Sequence, residues 1–202
     1  MLRQLSFLLL ATMCLSTRPA IAGTTTLENM QVAYNGETNA HSRYLAFAKQ
    51  ASLEGYGQVA SLFRAAARAE EIHASNHALV IRKLGAVPQA RLETPEVKAT
   101  RENLQLAIQG ESYERDTMYP EFLSQARAEN NRDAVRTLDL AKTAEAEHAK
   151  LYTQTLQTLA SLKSSTSKGF FVCPVCGFTT TDINLARCPS CFTSKERFER
   201  VA

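Results

Sequence analysis

The chain has 202 residues, of which 21% are charged, and a formal net charge of +3. This length is sufficient for one well-packed domain and a small appendage. The small net charge argues against nucleic acid as the main partner, because nucleic-acid-binding proteins concentrate basic residues on one surface.

Residues 1–22 have the pattern of an export signal. Arg3 precedes an apolar run, and Ala20 and Ala22 place small residues at both positions that a signal peptidase reads. The apolar run is too short to span a bilayer comfortably. We therefore expect a periplasmic protein with Gly23 as its first mature residue. An uncleaved membrane anchor is the alternative.

The next two segments have the apolar periodicity of amphipathic helices. The first helix is predicted over residues 26–53, with a threonine cap at its start and two glycines after its end. The second helix is predicted to follow at once and to end at residues 84–85. Because the connection is short, the two helices are expected to be antiparallel neighbours.

The longest break in the helical pattern covers residues 85–95. About eleven extended residues reach roughly 36 Å, which is enough to carry the chain along most of a bundle. A third helix is predicted to begin with Thr94 as cap and Pro95 in the first turn and to reach about residue 129, and a fourth to cover about 132–162. The predicted fold is therefore an all-α four-helix bundle of two hairpins joined by a long crossover.

The last part of the chain is a different kind of sequence. Residues 164–168 follow the predicted bundle of residues 23–163 and are rich in Ser, Thr and Lys, which is typical of a linker. Residues 169–202 have too few apolar side chains to fold unaided and contain two Cys-x-x-Cys pairs, which are Cys173, Cys176, Cys188 and Cys191. Two such pairs supply four thiolates in tetrahedral geometry, which indicates one Fe or one Zn. In an oxidising compartment disulfides are a third reading.

The two predicted hairpins repeat one another. Each supplies one glutamate from its first helix and a Glu-x-x-His pair from its second, and residues three apart share a helix face. The six residues are Glu37, Glu70, His73, Glu111, Glu145 and His148. Glutamate is uncommon on a buried helix face unless it is paired or binds metal. The repeat therefore predicts a carboxylate-rich centre that holds two iron or manganese ions.

The repeat is imperfect at one place in the second hairpin. Glu37 and Tyr44 are seven residues apart, whereas Glu111 and Tyr119 are eight apart. One extra residue inside a helix is typical of a π-bulge, and such bulges are frequent at functional sites. The same interval contains Glu114, which has no acidic counterpart in the first hairpin. We predict that the bulge turns Glu114 towards the centre as an additional ligand.

Two tyrosines and two histidines are further candidates. Tyr44 and Tyr119 each lie two turns beyond the first glutamate of their own hairpin, and we expect them to hydrogen-bond ligating carboxylates. Their alternative role is that of ordinary core aromatics. His41 and His77 each follow a ligand candidate by four residues, and for both a packing or solvent-exposed role is favoured.

Together these residues resemble the rubrerythrin family, and the resemblance covers essentially the whole mature chain. The motifs occur in the order of the family, namely Gly36-Glu37, Ala69-Glu70-x-x-His73, Gly110-Glu111-x-x-Glu114, Met118-Tyr119-Pro120 and Ala144-Glu145-x-x-His148. The four-cysteine tail looks like the rubredoxin-like domain of that family. The departures are the export signal and Phe178, where the rubredoxin-like knuckle often has tyrosine.

The resemblance implies a ferritin-like di-iron site with a role for each ligand. Glu70 and Glu145 would bridge the irons, Glu37 and Glu111 would be terminal ligands, and His148 would hold one iron. His73 and Glu114 would be alternative ligands of the other iron, exchanged as the oxidation state changes. The residues implied in catalysis are Glu114, His73, Tyr44 and Tyr119.

The resemblance also implies a reaction and partners. The expected reaction is the reduction of hydrogen peroxide to water, with electrons entering through one iron at the four cysteines. Zinc is the less favoured ion at that site, because it carries no electrons. A head-to-tail homodimer is the implied assembly, and a periplasmic electron carrier is the expected donor. The rival reading is a ferritin-like iron-binding, ferroxidase or storage protein whose tail is a structural zinc ribbon.

Overall fold

The computed structural model describes residues 24–182 and 184–202, so the predicted export signal lies outside the described residues. The bundle consists of α1 (Thr26–Leu53), α2 (Gly57–Lys83), α3 (Thr100–Tyr113), a π-helical segment (Glu114–Met118), α4 (Tyr119–Ala128) and α5 (Arg132–Gln157). The π-helical segment joins α3 to α4, so that these three form the third helix of a four-helix bundle. The predicted fold class is confirmed. Among the described residues, every helix is too short or too polar to span a membrane.

The first helix begins and ends where its sequence predicts. The hydroxyl of Thr25 accepts a hydrogen bond from the Glu28 amide at 3.2 Å, and the Glu28 carboxylate accepts one from the Thr25 amide at 2.7 Å. This reciprocal capping box satisfies amides that the first helical turn leaves unpaired. After Leu53 the chain turns through Gly55, whose φ of +78° is in the left-handed region that favours glycine.

The predicted start of the third helix at Thr94 is wrong, because α3 begins at Thr100 and residues 86–99 are irregular. Side-chain amides on α1, spaced four residues apart, bind the crossover backbone. Asn35 accepts from the Arg91 amide at 2.8 Å, and Asn39 accepts from the Glu93 amide at 2.9 Å. This amide ladder, formed by Gln31, Asn35 and Asn39, keeps the crossover extended where the sequence predicts a helical cap.

The observed start of α3 is determined by contacts rather than by the Thr94-Pro95 signal. The Thr100 amide donates to the carboxylate of Glu54 at 3.2 Å, and Glu54 stands at the end of α1. Asn103 accepts from the Lys98 amide at 2.9 Å and donates to the Lys98 carbonyl at 2.8 Å. Backbone groups at the start of α3 are thus paired with two side chains. One is Glu54, which is distant in sequence, and the other is Asn103, which lies inside the helix.

Two apolar clusters divide the bundle along its length. One contains Tyr44, Phe47, Phe63 and Tyr152, and the other contains Met30, Ile81, Leu123 and Leu138. On every helix of the bundle, the predicted ligands lie between the residues of these two clusters. The polar centre is therefore enclosed by packed side chains at both ends.

The tail begins after α5 and a short 3-10 turn over Leu159–Leu162, so the fourth helix ends at Gln157 rather than near residue 162. Its strands are β1 (Phe170–Val172), β2 (Thr179–Thr180) and β3 (Glu199–Val201), antiparallel in the order β2-β1-β3. The Ser164 amide donates to the Gly55 carbonyl at 2.8 Å, and the Gly57 amide donates to the Ser165 carbonyl at 3.2 Å. The connection to the tail thus lies against the turn between α1 and α2.

Candidate metal centre

The six repeat residues meet at the middle of the bundle, each at most 1% exposed. Their ligand atoms form two groups, each within 4.8 Å. We define the first ligand group as Glu37, Glu70, His73 and Glu145, and the second ligand group as Glu70, Glu111, Glu145 and His148. The predicted convergence is observed, and Glu70 and Glu145 belong to both groups.

The two shared glutamates each present one oxygen to each histidine. Glu70 places Oε2 2.8 Å from Nδ1 of His73 and Oε1 3.5 Å from Nδ1 of His148. Glu145 places Oε1 3.0 Å from Nδ1 of His73 and Oε2 3.0 Å from Nδ1 of His148. This is the arrangement that two bridging carboxylates need in order to hold a pair of ions.

The donor atoms of the centre are buried without hydrogen-bond partners among the described residues. They are Oε2 of Glu37 and Glu111, both oxygens of Glu70 and Glu145, and Nδ1 of His73 and His148. Burying such atoms unpaired is costly, so each is expected to have a partner that protein atoms do not supply. Oxygen and imidazole donors in this number fit two iron ions.

The pKa values of the glutamates diverge. Burial, reinforced by the negative charge of Glu70, raises the pKa of Glu37 and that of Glu111 to about 8. Burial opposes ionisation of Glu70 as well, but the neighbouring imidazoles of His148 and His73 lower its pKa to about 2. The terminal glutamates therefore hold protons that a bound cation displaces.

Tyr44 and Tyr119 hydrogen-bond the carboxylates as predicted, but each reaches the opposite hairpin. The Tyr44 hydroxyl donates to Oε1 of Glu111 at 2.6 Å, and the Tyr119 hydroxyl donates to Oε1 of Glu37. Seven or eight residues along a helix span roughly 10–12 Å, which is too far for a bond within one helix. The crossed pairs leave Oε2 of each terminal glutamate for a metal.

The extra residue of the second hairpin forms the predicted π-helical segment, Glu114–Met118. Glu114 is its first residue and is half-buried. Burial and the negative charge of Glu37 raise the pKa of Glu114 well above its usual range. The structure thus places Glu114 beside the carboxylates and outside both ligand groups.

His77 lies beside the centre, although the sequence favoured a packing or solvent-exposed role for it. It is 0% exposed, and Nε2 lies 3.2 Å from the hydroxyl of Tyr119 and 3.8 Å from Oε1 of Glu37. Burial, followed by the positive charge of His73, lowers the pKa of His77 to about 3. Its position four residues after His73 was the available signal. His41 instead contacts the Ala67 carbonyl at 2.7 Å.

The four tail cysteines form the predicted cluster. Cys173 and Cys191 have sulfurs 3.5 Å apart, as do Cys176 and Cys188. A disulfide needs about 2.05 Å, so these are free thiols. Sulfurs at about 2.3 Å from one tetrahedral ion lie slightly farther apart than this, so the cluster fits a single Fe or Zn.

The tail lies against its own bundle and contacts one histidine of each ligand group. Nε2 of His73 is 3.0 Å from the Cys176 carbonyl, and Nε2 of His148 is 3.1 Å from the Thr179 hydroxyl. The carbonyl can only accept, and Thr179 donates its proton to Gly177, so both imidazoles carry Nε2–H. Nδ1 of each ring therefore faces the centre and is the nitrogen that a metal would bind.

A sequence model described as "Rubrerythrin" matches residues 28–156. Nigerythrin of Nitratidesulfovibrio vulgaris is 38% identical over 174 residues, which cover 86% of this chain and 85% of that protein. Rubrerythrin-2 of Clostridium acetobutylicum is 36% identical over 178 residues, covering 86% and 95%. The solved structure of fully reduced, all-ferrous nigerythrin superposes with a TM-score of 0.81 at 34% identity, covering 92% of this chain and 91% of that one.

Proposed function

The chain belongs to the rubrerythrin family, and we propose that it is a non-haem di-iron peroxidase that reduces hydrogen peroxide to water. The family is one of di-iron proteins of oxidative-stress defence, and the chain holds two iron ions in the bundle and one at the four cysteines. The observation that carries the peroxidase proposal is the sharing of Glu70 and Glu145 by the two ligand groups, directly beneath the tail.

We assign the ligands by this geometry and by the family resemblance. Glu70 and Glu145 would bridge the ions, Glu37 and Glu111 would be terminal ligands, and His148 would hold one ion. By the family resemblance alone, His73 and Glu114 would be alternative ligands of the other ion. Two irons bound there would supply the two electrons needed to convert H₂O₂ and two protons into two waters, and an iron at the four cysteines would supply the replacement electrons one at a time.

The protein side chains prepare the site for this reaction. The carboxylates and imidazoles are buried, so bulk water does not compete for the ions or screen their charges. Tyr44 and Tyr119 hold the terminal glutamates in fixed orientations. We propose the contact between His73 and the Cys176 carbonyl as the route by which electrons reach the bundle, because it joins a knuckle cysteine directly to a ligand.

The test is anaerobic purification of the full chain, metal analysis, and stopped-flow spectra during reaction with hydrogen peroxide. We expect iron at the four cysteines, with its absorption bleached on reduction and recovered as peroxide is consumed. The matched control is the same chain with zinc in the tail, which preserves the fold and carries no electrons. Zinc in the purified tail with slow, non-catalytic iron oxidation would support the ferritin-like rival instead.

We also propose that the protein is exported, accepts electrons from a periplasmic carrier and forms a homodimer. The basic residue, apolar run and small residues of the first 22 positions support export. The family resemblance supports the dimer. N-terminal sequencing of protein from a periplasmic fraction should begin at Gly23, and light scattering should give twice the chain mass.

A further inference from the structure

The centre has two tyrosine–glutamate pairs, Tyr44 with Glu111 and Tyr119 with Glu37. They share the same hydrogen-bond arrangement but have different neighbours. In each pair the tyrosine donates to Oε1, and Oε2 has no hydrogen-bond partner among the described residues. The direction of the tyrosine hydroxyl therefore decides which carboxylate oxygen is left for metal. Any group that controls this hydroxyl also controls the ligand.

Two further polar residues, His77 and Thr137, extend the hydrogen-bond chain from Tyr119. His77 has Nε2 3.2 Å from the Tyr119 hydroxyl and Nδ1 3.1 Å from the hydroxyl of Thr137 on α5. Because Tyr119 gives its own proton to Glu37, its oxygen can only accept from His77, which must carry Nε2–H. Nδ1 of the neutral imidazole then accepts from Thr137. Every proton in the chain from Thr137 to Glu37 thus points towards the centre.

Beside Tyr44, the position that corresponds to His77 is occupied by a tyrosine packed among aromatic rings. Tyr152 follows His148 by four residues, as His77 follows His73. Its ring lies 5.6 Å from that of Tyr44 and 5.2 Å from that of Phe63. The Tyr152 hydroxyl is buried without a hydrogen-bond partner in the described part of the chain. Tyr44 is therefore held by ring packing and by Glu111, with no donor behind it.

We propose that His77 and Thr137 are positioning residues that hold the Tyr119 hydroxyl on Glu37. They thereby raise the metal affinity of the first ligand group. Without the Thr137 hydroxyl, the imidazole is free to carry its proton on Nδ1. Nε2 then becomes an acceptor, and the Tyr119 proton turns from Glu37 to His77. The inference concerns metal binding and stands whichever oxidant the centre reduces.

The first experiment is an anaerobic titration of the full chain with Co²⁺. Thiolate-bound cobalt has intense charge-transfer bands that distinguish the tail from the bundle, and the two bundle sites are resolved as stepwise affinities. Thr137→Val, which keeps the side-chain shape, should weaken one bundle site about tenfold and leave the other unchanged. Thr137→Ser, which retains the hydroxyl, should restore the affinity.

Tyr152→Phe is the matched control, since it removes a buried hydroxyl that has no hydrogen-bond partner. Both bundle affinities should be unchanged in that variant. Unchanged affinities in Thr137→Val, or an equal loss at both sites, would overturn the proposal.

A second measurement does not depend on affinity. Nitrogen NMR of the zinc-loaded full chain reports which ring nitrogen of His77 carries the proton. We expect Nε2–H in the natural chain and a shift towards Nδ1–H in Thr137→Val. A natural chain with His77 protonated on Nδ1 would contradict the proposed direction of the hydrogen bonds.

Discussion

The atoms of the bundle centre account for most of the unpaired buried polar groups in the described residues. Eight of the eleven such side-chain atoms belong to its four glutamates and two histidines. Each unpaired group costs on the order of 1–3 kcal/mol or more, so the folded chain needs the metals to offset this burial. The centre is thus both the functional site and a condition of stability.

Removal of the metals should lower stability, and more so at higher pH. Free metal at about a thousand times its dissociation constant stabilises by about 4 kcal/mol, or roughly 10 °C in melting temperature. In the stripped chain, Glu37 and Glu111 keep protons up to pH about 8, whereas the unfolded chain releases them near 4.5. Between these two pH values, the free energy of unfolding of the stripped chain falls by about 1.4 kcal/mol per pH unit for each of the two glutamates.

Thermal melts at pH 5 and pH 8, with and without a chelator, measure both effects. The metal-free chain should be less stable at pH 8 than at pH 5, and the difference between loaded and stripped chains should grow with pH. A stripped chain that gains stability from pH 5 to pH 8 would contradict the protonation of the terminal glutamates.

Glu114 should affect turnover more than metal content. Because it stands outside both ligand groups, Glu114→Ala should keep the diferrous centre and lower peroxide turnover by roughly 10–100-fold. Asp116→Ala is the matched control in the same π-helical segment, since Asp116 is exposed and pairs with Arg115 at 2.5 Å. Iron analysis and turnover are measured on the same samples. A parallel loss of iron and activity would make Glu114 a structural ligand.

At the scale of the helices, the crossover shows how side chains on α1 shape a segment that has no regular structure. Asn39 is 7% exposed, accepts from the Glu93 amide and donates to the Arg91 carbonyl at 2.9 Å. Asn39→Ala should leave two crossover backbone groups unpaired and cost about 1–3 kcal/mol. Faster hydrogen exchange at the Glu93 amide would locate the effect, and Lys49→Ala, exposed on the same helix, should change neither quantity.

The helices also show which features a sequence can predict. The π-helical segment was predictable because a repeat compared with itself exposes one extra residue, whatever the contacts around it. The start of α3 was not, because Glu54 and the amide ladder determine it from α1, distant in sequence. The Thr94-Pro95 signal is sound locally, but the tertiary hydrogen bonds of the crossover override it. His77 was underestimated for a similar reason, since Thr137 lies on another helix.

At the scale of the whole molecule, the position of the tail could not be inferred from sequence. The knuckles predict a metal cluster, but either the same bundle or another subunit could have received it. In the structure, Arg68 binds both oxygens of Glu199 at 2.6 and 2.9 Å, and Asn76 donates to the Val175 carbonyl at 2.9 Å. These are ordinary surface residues without periodicity, so no pattern indicates that they form an interface.

Gly177 follows Cys176 in the part of this interface that lies against His73. Its φ is +75°, and a Cβ there would collide with Nε2 of His73. Gly177→Ala should therefore push the knuckle away from His73 while the four cysteines keep their iron. Reduction of the tail should still occur, but electron transfer from tail to bundle should slow, because the direct contact between Cys176 and His73 is lost.

Gly85→Ala separates this collision from simple backbone strain. Gly85 has a φ of +81°, and a Cβ there would meet no atom within 4 Å. Both variants should lose similar stability from the left-handed backbone, about 1 kcal/mol or more. Only Gly177→Ala should slow the recovery of tail absorption after a peroxide pulse. Equal recovery in the two variants would mean that electrons reach the bundle by another path, such as the tail of a second subunit.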